Sequence, residues 1–357
     1  MKNIIATLSV LFLLQSCAKS KLENIDIPKS SGNVMVLNGI NGSEIGSNAA
    51  NMVFVDLSKD AQSTLKRADW DLKFYCGSDF RVLINNTTAA MAKVTNKYDL
   101  SAVSASDVQG FVWTVDIANP SPITFTKVDD LYGDLTKTII PEVSAMETEN
   151  PVIVLGRGEG GAIPKRDLIK LKLKKIFENA YEIKWSKLDE NNIHTDTIFK
   201  DEQYNFMYFS FDSGVLEKAA PQKPNWDFVW SVSIFHTPYY DEEVAYVFSD
   251  MVAINNRAGV RVAEKKYANE HDANNAFENY SLGQVQEEQF SDSLWAIGNK
   301  WRSTPAPGES NIPGVKKDRF YILQDPQGNY YKLKFLSFSL EDGGERGRPD
   351  IKYILLQ

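Results

Sequence analysis

The sequence predicts an all-β protein built as two tandem antiparallel β-sandwich or open-barrel domains with few short helices. Three observations predict it: a repeated Trp-Asp string, runs that alternate apolar and polar residues, and scarce helical periodicity. Trp70-Asp71-Leu72-Lys73-Phe74, followed by Ile84-Asn85-Asn86, returns as Trp226-Asp227-Phe228-Val229-Trp230, followed by Ile254-Asn255-Asn256. Self-similarity on this scale marks a repeated structural unit. Other segments recur in the same order. Phe54-Val55-Asp56-Leu57-Ser58 matches Phe209-Ser210-Phe211-Asp212-Ser213, and Val152-Ile153-Val154-Leu155 matches Phe320-Tyr321-Ile322-Leu323. Lys170-Leu171-Lys172-Leu173 matches Lys332-Leu333-Lys334-Phe335, and Ile183-Lys184-Trp185 matches Ile351-Lys352-Tyr353.

The chain begins with an export signal rather than with the fold. Lys2 supplies a positive start, and Ile4 to Leu14 form an apolar run of signal-peptide length, too short to span a bilayer. The run ends in Leu14-Gln15-Ser16-Cys17, which resembles a bacterial lipobox and makes Cys17 the expected lipidation site. Residues 1–17 are therefore read as a lipoprotein signal peptide. Residues 18–32, polar and containing Pro28, are read as a tether.

Residues 33–195 and 196–357 are the two expected β domains, with a junction in the polar segment Asn191 to Asp201. Leu168 to Lys174 alternates apolar and basic residues, the pattern of a strand with one buried face and one wet face. Phe206 to Phe211 and Tyr330 to Phe338 read similarly, and Asp325-Pro326-Gln327-Gly328-Asn329 has the chemistry of a hairpin turn. Ala273 to Tyr280 and Gln284 to Trp295 are the best helical segments. In each Trp-Asp pair, Trp70 and Trp226 are expected to bury apolar surface, and Asp71 and Asp227 to accept backbone N–H bonds from the preceding turn. These four residues are read as structural anchors.

Composition narrows function. A net charge of −8 argues against nucleic acid, whose phosphates require a basic face. Hydrophobic residues at 43% and charged residues at 24% suit two buried cores. After Cys17 only Cys76 remains, so an intramolecular disulfide is excluded in the mature chain; beside an apolar strand, it reads as a packed thiol. Gly156-Arg157-Gly158-Glu159-Gly160-Gly161 satisfies GxGxxG, but Pro164 and a strand follow where a helix is required, so it reads as a hairpin tip. The acidic pairs lack calcium-loop spacing, and no Gly-x-Ser-x-Gly elbow is present. The expectation is a non-enzyme. Arg346 and Arg348, in a glycine-rich loop, could meet a carboxylate but read first as a solvated loop, and aromatics near Trp295, Trp301 and Tyr239-Tyr240 could stack on a flat ligand, though core packing explains them equally well.

Phe209-Ser210-Phe211, then Asn225-Trp226-Asp227-Phe228, then Asn255-Asn256 and Gly259-Val260, with the closing strands from Phe320 to Tyr353, resemble the HmuY family of haem-binding lipoproteins. The resemblance spans most of 33–357 and gives the two domains an HmuY-like type. It implies a lipid-anchored place on the bacterial outer membrane, facing the periplasm or the cell surface. It also implies capture of haem and its hand-over to a TonB-dependent receptor, with iron held between two axial ligands, His or Met. The family's ligands lie between the Gly-Val strand and the closing meander. There the first copy offers Met146 and no His, and the second offers His271 and no Met, so neither copy carries a pair. Met146 and His271 are the candidate haem ligands. His236 lies in an insertion of the second copy and His194 at the domain junction, and none of the 15 tyrosines stands out as a substitute. The alternative is an accessory surface lipoprotein that has kept the fold and binds another ligand, such as a glycan or a protein partner.

Overall fold

Four antiparallel sheets carry the fold in the computed structural model, which describes residues 29–116, 118–217, 219–304 and 312–357. Cys17, the signal peptide and the tether as far as residue 28 lie outside the described residues. A first outer sheet holds Met91–Val94, Ile153–Gly156, Ile169–Ile176, Ala180–Lys187 and His194–Phe199. A first inner sheet holds Val82–Ile84, Leu72–Tyr75, Phe206–Ser210 and Gly214–Leu216. The second inner sheet holds Ala61–Lys66, Asn51–Asp56, Phe228–Tyr239 and Glu242–Ile254. The second outer sheet holds Arg261–Lys266, Arg319–Gln324, Tyr330–Ser337, Asp350–Leu355 and Gly32–Val36. The chain is all-β, and its single described α-helix is Glu270–Asn279.

Each inner sheet packs on its own outer sheet. Leu72, Phe74 and Phe209 meet Leu155, Leu171 and Ile183 in one core, and Val53, Phe228 and Trp230 meet Tyr321, Leu333 and Ile351 in the other. The cores do not follow the expected division at 195/196. Val55 pairs with Phe228 across the second inner sheet, whereas Leu72 pairs with Phe209 across the first. Val34 pairs with Lys352 near the C-terminus. The first sandwich therefore draws on residues 72–211, and the second on residues 35–57 together with 228–353. The segment read as a junction contains the strand His194–Phe199, paired along its length with Ala180–Lys187. It looked like a linker because an edge strand keeps one face wet; Ile198 alone on it is buried.

The structure also adjusts the register of the repeat. Asp71 N–H donates to the Phe209 carbonyl at 2.8 Å and Asp227 N–H to the Val55 carbonyl at 2.7 Å, so Val55, not Phe54, corresponds to Phe209. A one-residue slip exchanges the two faces of a strand. In the corrected register Tyr208 packs edge-on against Trp70 with centroids 5.0 Å apart, and Phe54 packs edge-on against Trp226 at 5.2 Å.

The Trp-Asp aspartates do accept backbone N–H bonds, but across the fold and not from the preceding turn. Asp71 Oδ2 accepts from Phe211 N at 2.9 Å and Asp227 Oδ2 from Leu57 N at 2.7 Å. The recurring Asn completes each anchor. Asn85 Nδ2 donates to the carbonyls of Arg67 and Trp70, and Asn255 Nδ2 to those of Lys223 and Trp226.

The basic face of Ile169–Ile176 is not wet. Lys170 and Lys172 are buried, and their ammonium groups donate to the carbonyls of Val103 and Tyr98 in the segment that covers the sheet. The helix covers the second outer sheet in the same manner. It is capped by Asn269, whose side chain accepts from Asp272 N at 3.0 Å, and it buries Ala273 and Phe277. Lys332 beneath it donates to the carbonyls of Phe277, Glu278 and Tyr280, the open acceptors at the helix end. The expected helix at 284–295 forms only the 3-10 turn Leu282–Glu287. Asp325 caps the expected hairpin turn by accepting from Gln327 N and Asn329 N. No described helix is long and apolar enough to cross a membrane.

The two anchors differ in charge. Asp71 lies between Arg157, which grips it with two hydrogen bonds at 2.7 and 2.8 Å, and Arg166 at 3.2 Å. Among the described residues no arginine pairs with Asp227, and burial raises its pKa well above the ordinary carboxyl value. Asp71→Asn should destabilise the protein by about 3 kcal/mol, because Arg166 loses its one carboxylate partner among the described residues and the buried Arg157 keeps only the exposed Asp212. Asp227→Asn should be neutral or stabilising at pH 7, since an amide replaces a carboxylate that burial disfavours. Urea midpoints of the two variants give the comparison; equal losses would refute the assigned difference.

Candidate ligand cleft between the inner sheets

The central strands of the inner sheets are buried on both faces, which explains why Asn51–Asp56 has no exposed residue, whereas the edge strand Ala61–Lys66 is largely exposed. Odd positions such as Val53 and Val55 enter a sandwich core, while Met52 and Phe54 meet Trp70 and Tyr208 from the other inner sheet. Where these back faces separate, they leave a cleft of about 990 Å³, part of it open to solvent. Trp226, Trp295, Phe206, Met52, Met251 and Val229 supply its apolar walls. Large, largely apolar concavities with a few placed polar groups are the usual form of a small-molecule site.

Two cations stand in these walls. Lys73 projects from Leu72–Tyr75 on the cleft face, between Leu72 and Phe74 that face the core. Its ammonium lies 4.8 Å from the centre of the Phe206 ring and forms no hydrogen bond or salt bridge among the described residues. Arg257 follows the Asn255-Asn256 pair and places its guanidinium 5.7 Å from the same ring, donating to the Gly133 carbonyl at 2.8 Å. Burial pushes the Lys73 pKa down to about 8, Asp129 opposes that shift, and Arg257 adds to it. Burial also lowers the Arg257 pKa.

An adjoining pocket of about 470 Å³, part of it open to solvent, shares Lys73, Leu83 and Trp295 with the cleft and brings in Asp129. Asp129 accepts from Ile84 N and Ile139 N, each at 2.9 Å, so its carboxylate is held by backbone and stays beyond salt-bridge reach of Lys73. Burial pushes its pKa up to about 6 against those bonds. Two further polar atoms on the cleft have no partner. Ser231 Oγ and Asn205 Oδ1 are buried without a hydrogen bond, and unpaired buried polar groups call for a bound molecule or water.

The expected ligands lie elsewhere. Met146 is exposed at the start of the 3-10 turn Glu147–Glu149, and His271 is exposed on the helix, hydrogen-bonded to Asn275 at 2.9 Å. Neither lines the cleft or the adjoining cavity. His194 stacks on Trp185 with centroids 4.4 Å apart. His236, on the long hairpin, joins Glu243 at 2.8 Å and Tyr132 at 2.5 Å, tying the hairpin to the loop whose Leu131 carbonyl accepts from Trp295 Nε1. Cys76 is buried and free, and burial raises its thiol pKa. Arg346 is bonded to Asp250 and Arg348 pairs with Glu345. Gly158 is held so closely that a Cβ would lie 1.9 Å from the Thr88 carbonyl oxygen, and Arg157 faces Asp71, so the GxGxxG run is a packed turn. No cluster of three His, Cys, Asp or Glu able to hold a metal occurs among the described residues.

The family model described as HmuY protein matches residues 48–353. The chain belongs to the HmuY family. That family is associated with haem binding and consists of binding and transport proteins. No curated protein and no solved structure matches the chain.

Lys73, Arg257, Ser231 and Asn205 carry no local motif, and sequence reasoning missed them. Lys73 within Leu-Lys-Phe reads as a residue on a wet face. The available signal lay in the recurring strings: the second Trp-Asp string has Val229 where the first has Lys73, and after the Asn-Asn pair Thr87 stands in one place and Arg257 in the other.

Lys73→Met should raise stability at pH 7 by roughly 1–3 kcal/mol, because the fold lowers the pKa of this group and so disfavours its charged form. The gain should vanish as pH rises from about 8 through the unfolded value of 10.5. Asp129 has the opposite dependence. Its folded pKa of about 6 exceeds the ordinary 3.8, so its contribution is full below 3.8 and is lost as pH rises through about 6. Thermal melts from pH 4 to 7 should therefore show a smaller fall in midpoint for Asp129→Asn than for wild type.

Proposed function

We propose that the chain is an exported, lipid-anchored, non-enzymatic binding protein that holds its cargo in the cleft between the inner sheets. Cys17 would carry the anchor to the outer membrane, and a TonB-dependent receptor would receive the cargo. The observation behind this reading is a cleft with aromatic walls and two cations, in a member of a family associated with haem. Two copies of one unit, expected from the repeat, would meet at that cleft.

Haem fits the cleft in part. A porphyrin has a flat apolar body and two carboxylates, which suit the walls and the cations Lys73 and Arg257. When bound, haem would supply an iron centre that is held by axial ligands. Those ligands do not converge here. Among the described residues no His lines the cleft, and Met52 and Met251 stand on strands of the same inner sheet, so they approach from one wall. That mismatch supports the second reading, a lipoprotein that has kept the scaffold and takes another cargo; Trp226 and Trp295 also suit stacking on a glycan.

Hemin titration of the purified protein tests the first reading. A shifted Soret band that saturates near one equivalent is expected, and a spectrum identical to free hemin would sink it. Met146→Ala and His271→Ala should leave the bound spectrum unchanged, because both side chains are exposed and off the cleft. A spectral change in either variant would return that residue to the iron.

A further inference from the structure

We infer that the cleft recognises the apolar body and carboxylate end of an amphipathic anion, independently of any metal that the molecule carries. The inference rests on the reading of the cleft as the cargo site. Lys73 and Arg257 come from different sandwiches and flank one ring, Phe206, at 4.8 and 5.7 Å. Neither has a salt bridge among the described residues. Lys73 is half-buried and Arg257 exposed; two like charges beside one ring repel each other, and a carboxylate within reach of both would relieve that repulsion. Guanidinium in particular matches the two oxygens of a carboxylate.

Ser231 Oγ, buried and unpartnered on the facing sheet, can donate one further hydrogen bond to such a group. Asn205 Oδ1, also unpartnered, can accept one from a ligand hydroxyl or amide. Trp226, Val229 and Trp295 in the same walls offer apolar surface for the rest of the molecule.

A metal adds nothing that these walls can hold. The Met52 sulfur already accepts from Trp70 Nε1 at 3.3 Å. Met251 is almost fully buried and stands on the same sheet as Met52. The repeat gives an independent indication. Val229 and Thr87 occupy the positions that match Lys73 and Arg257, so the scaffold is satisfied by uncharged side chains at both places. Each charge is then an addition to the cleft, not a requirement of the strand that bears it.

The test follows quenching of tryptophan fluorescence by hemin, metal-free protoporphyrin IX and protoporphyrin dimethyl ester, in the full mature chain. Metal-free protoporphyrin should bind within about three-fold of hemin, and the ester about ten-fold more weakly than the free acid, a loss of about 1.4 kcal/mol. Lys73→Met should weaken the free acid by about ten-fold and leave the ester unchanged, and Arg257→Gln should act in the same direction. Should Lys73→Met fail to fold, Arg257→Gln and the ester carry the test.

Hemin binding with metal-free protoporphyrin about a hundred-fold weaker would overturn the inference while leaving the cleft reading intact. Variants that keep the wild-type preference for acid over ester would also overturn it. Palmitate, added to the protoporphyrin complex, separates two sources of the same chemistry. Displacement assigns an elongated acid to the cleft and its absence a planar one, and either result accords with the inference. If hemin, protoporphyrin and palmitate all fail to bind, the cleft reading falls and the inference falls with it.

Discussion

The architecture depends on one constraint: each inner sheet is closed by strands from the other half of the chain. Asn51–Asp56 completes the sheet that contains the second Trp-Asp string, and Phe206–Ser210 completes the sheet that contains the first. The aspartate of each string fixes this crossing by accepting a backbone N–H one strand away, at Phe211 or at Leu57. Because the crossing chain must pass between the sandwiches, the inner sheets are held back to back. Their outward faces then become interior, and the packing of Trp70 on Tyr208 and of Phe54 on Trp226 follows. The cleft is what remains where those faces do not close.

Much of the fold was legible because strands and anchors leave local signals. The Trp-Asp strings, the hairpin at Asp325 and the meander from Phe320 to Tyr353 lie where the sequence indicates, and the structure is all-β with a single described α-helix. Strand exchange leaves no such signal. A chain with recurring strand strings whose strands stay within each half and one whose first strands cross over have the same sequence pattern, since the pairing partners are equivalent in type. The polar strand at 194–199 misled for a related reason. Its residues report that one face is wet, and an edge strand and a linker both satisfy that.

The site was less legible than the fold, and the cause is the second buried face. Alternation in Leu168 to Lys174 or in Leu72 to Phe74 shows which residues enter the nearer core. It does not show whether the opposite face meets solvent, a covering segment or another sheet. Lys170 and Lys172 lie under the covering loop, with carbonyl partners. Lys73 lies against another sheet without a partner. The three lysines look alike in sequence and differ only in what the tertiary structure places over them.

That difference separates structural charge from functional charge. Arg157 is buried and Arg166 half-buried, but they neutralise Asp71, with Asp212 as a second carboxylate on Arg157, and removing Asp71 would leave Arg166 without a carboxylate among the described residues. Lys332 is buried, but it closes the carbonyls at a helix end. Each offsets its own desolvation through a partner in the fold. Lys73 has only the distant field of Asp129, whose oxygens are already bound by Ile84 and Ile139. Its neighbour Arg257 makes the local repulsion worse. A protein under selection for stability alone would carry Val at position 73, as it does at 229, where the matching strand faces the same cleft. A cation kept at a net cost to the fold, opposite an unpaired serine and between aromatic walls, is explained by what the cleft binds.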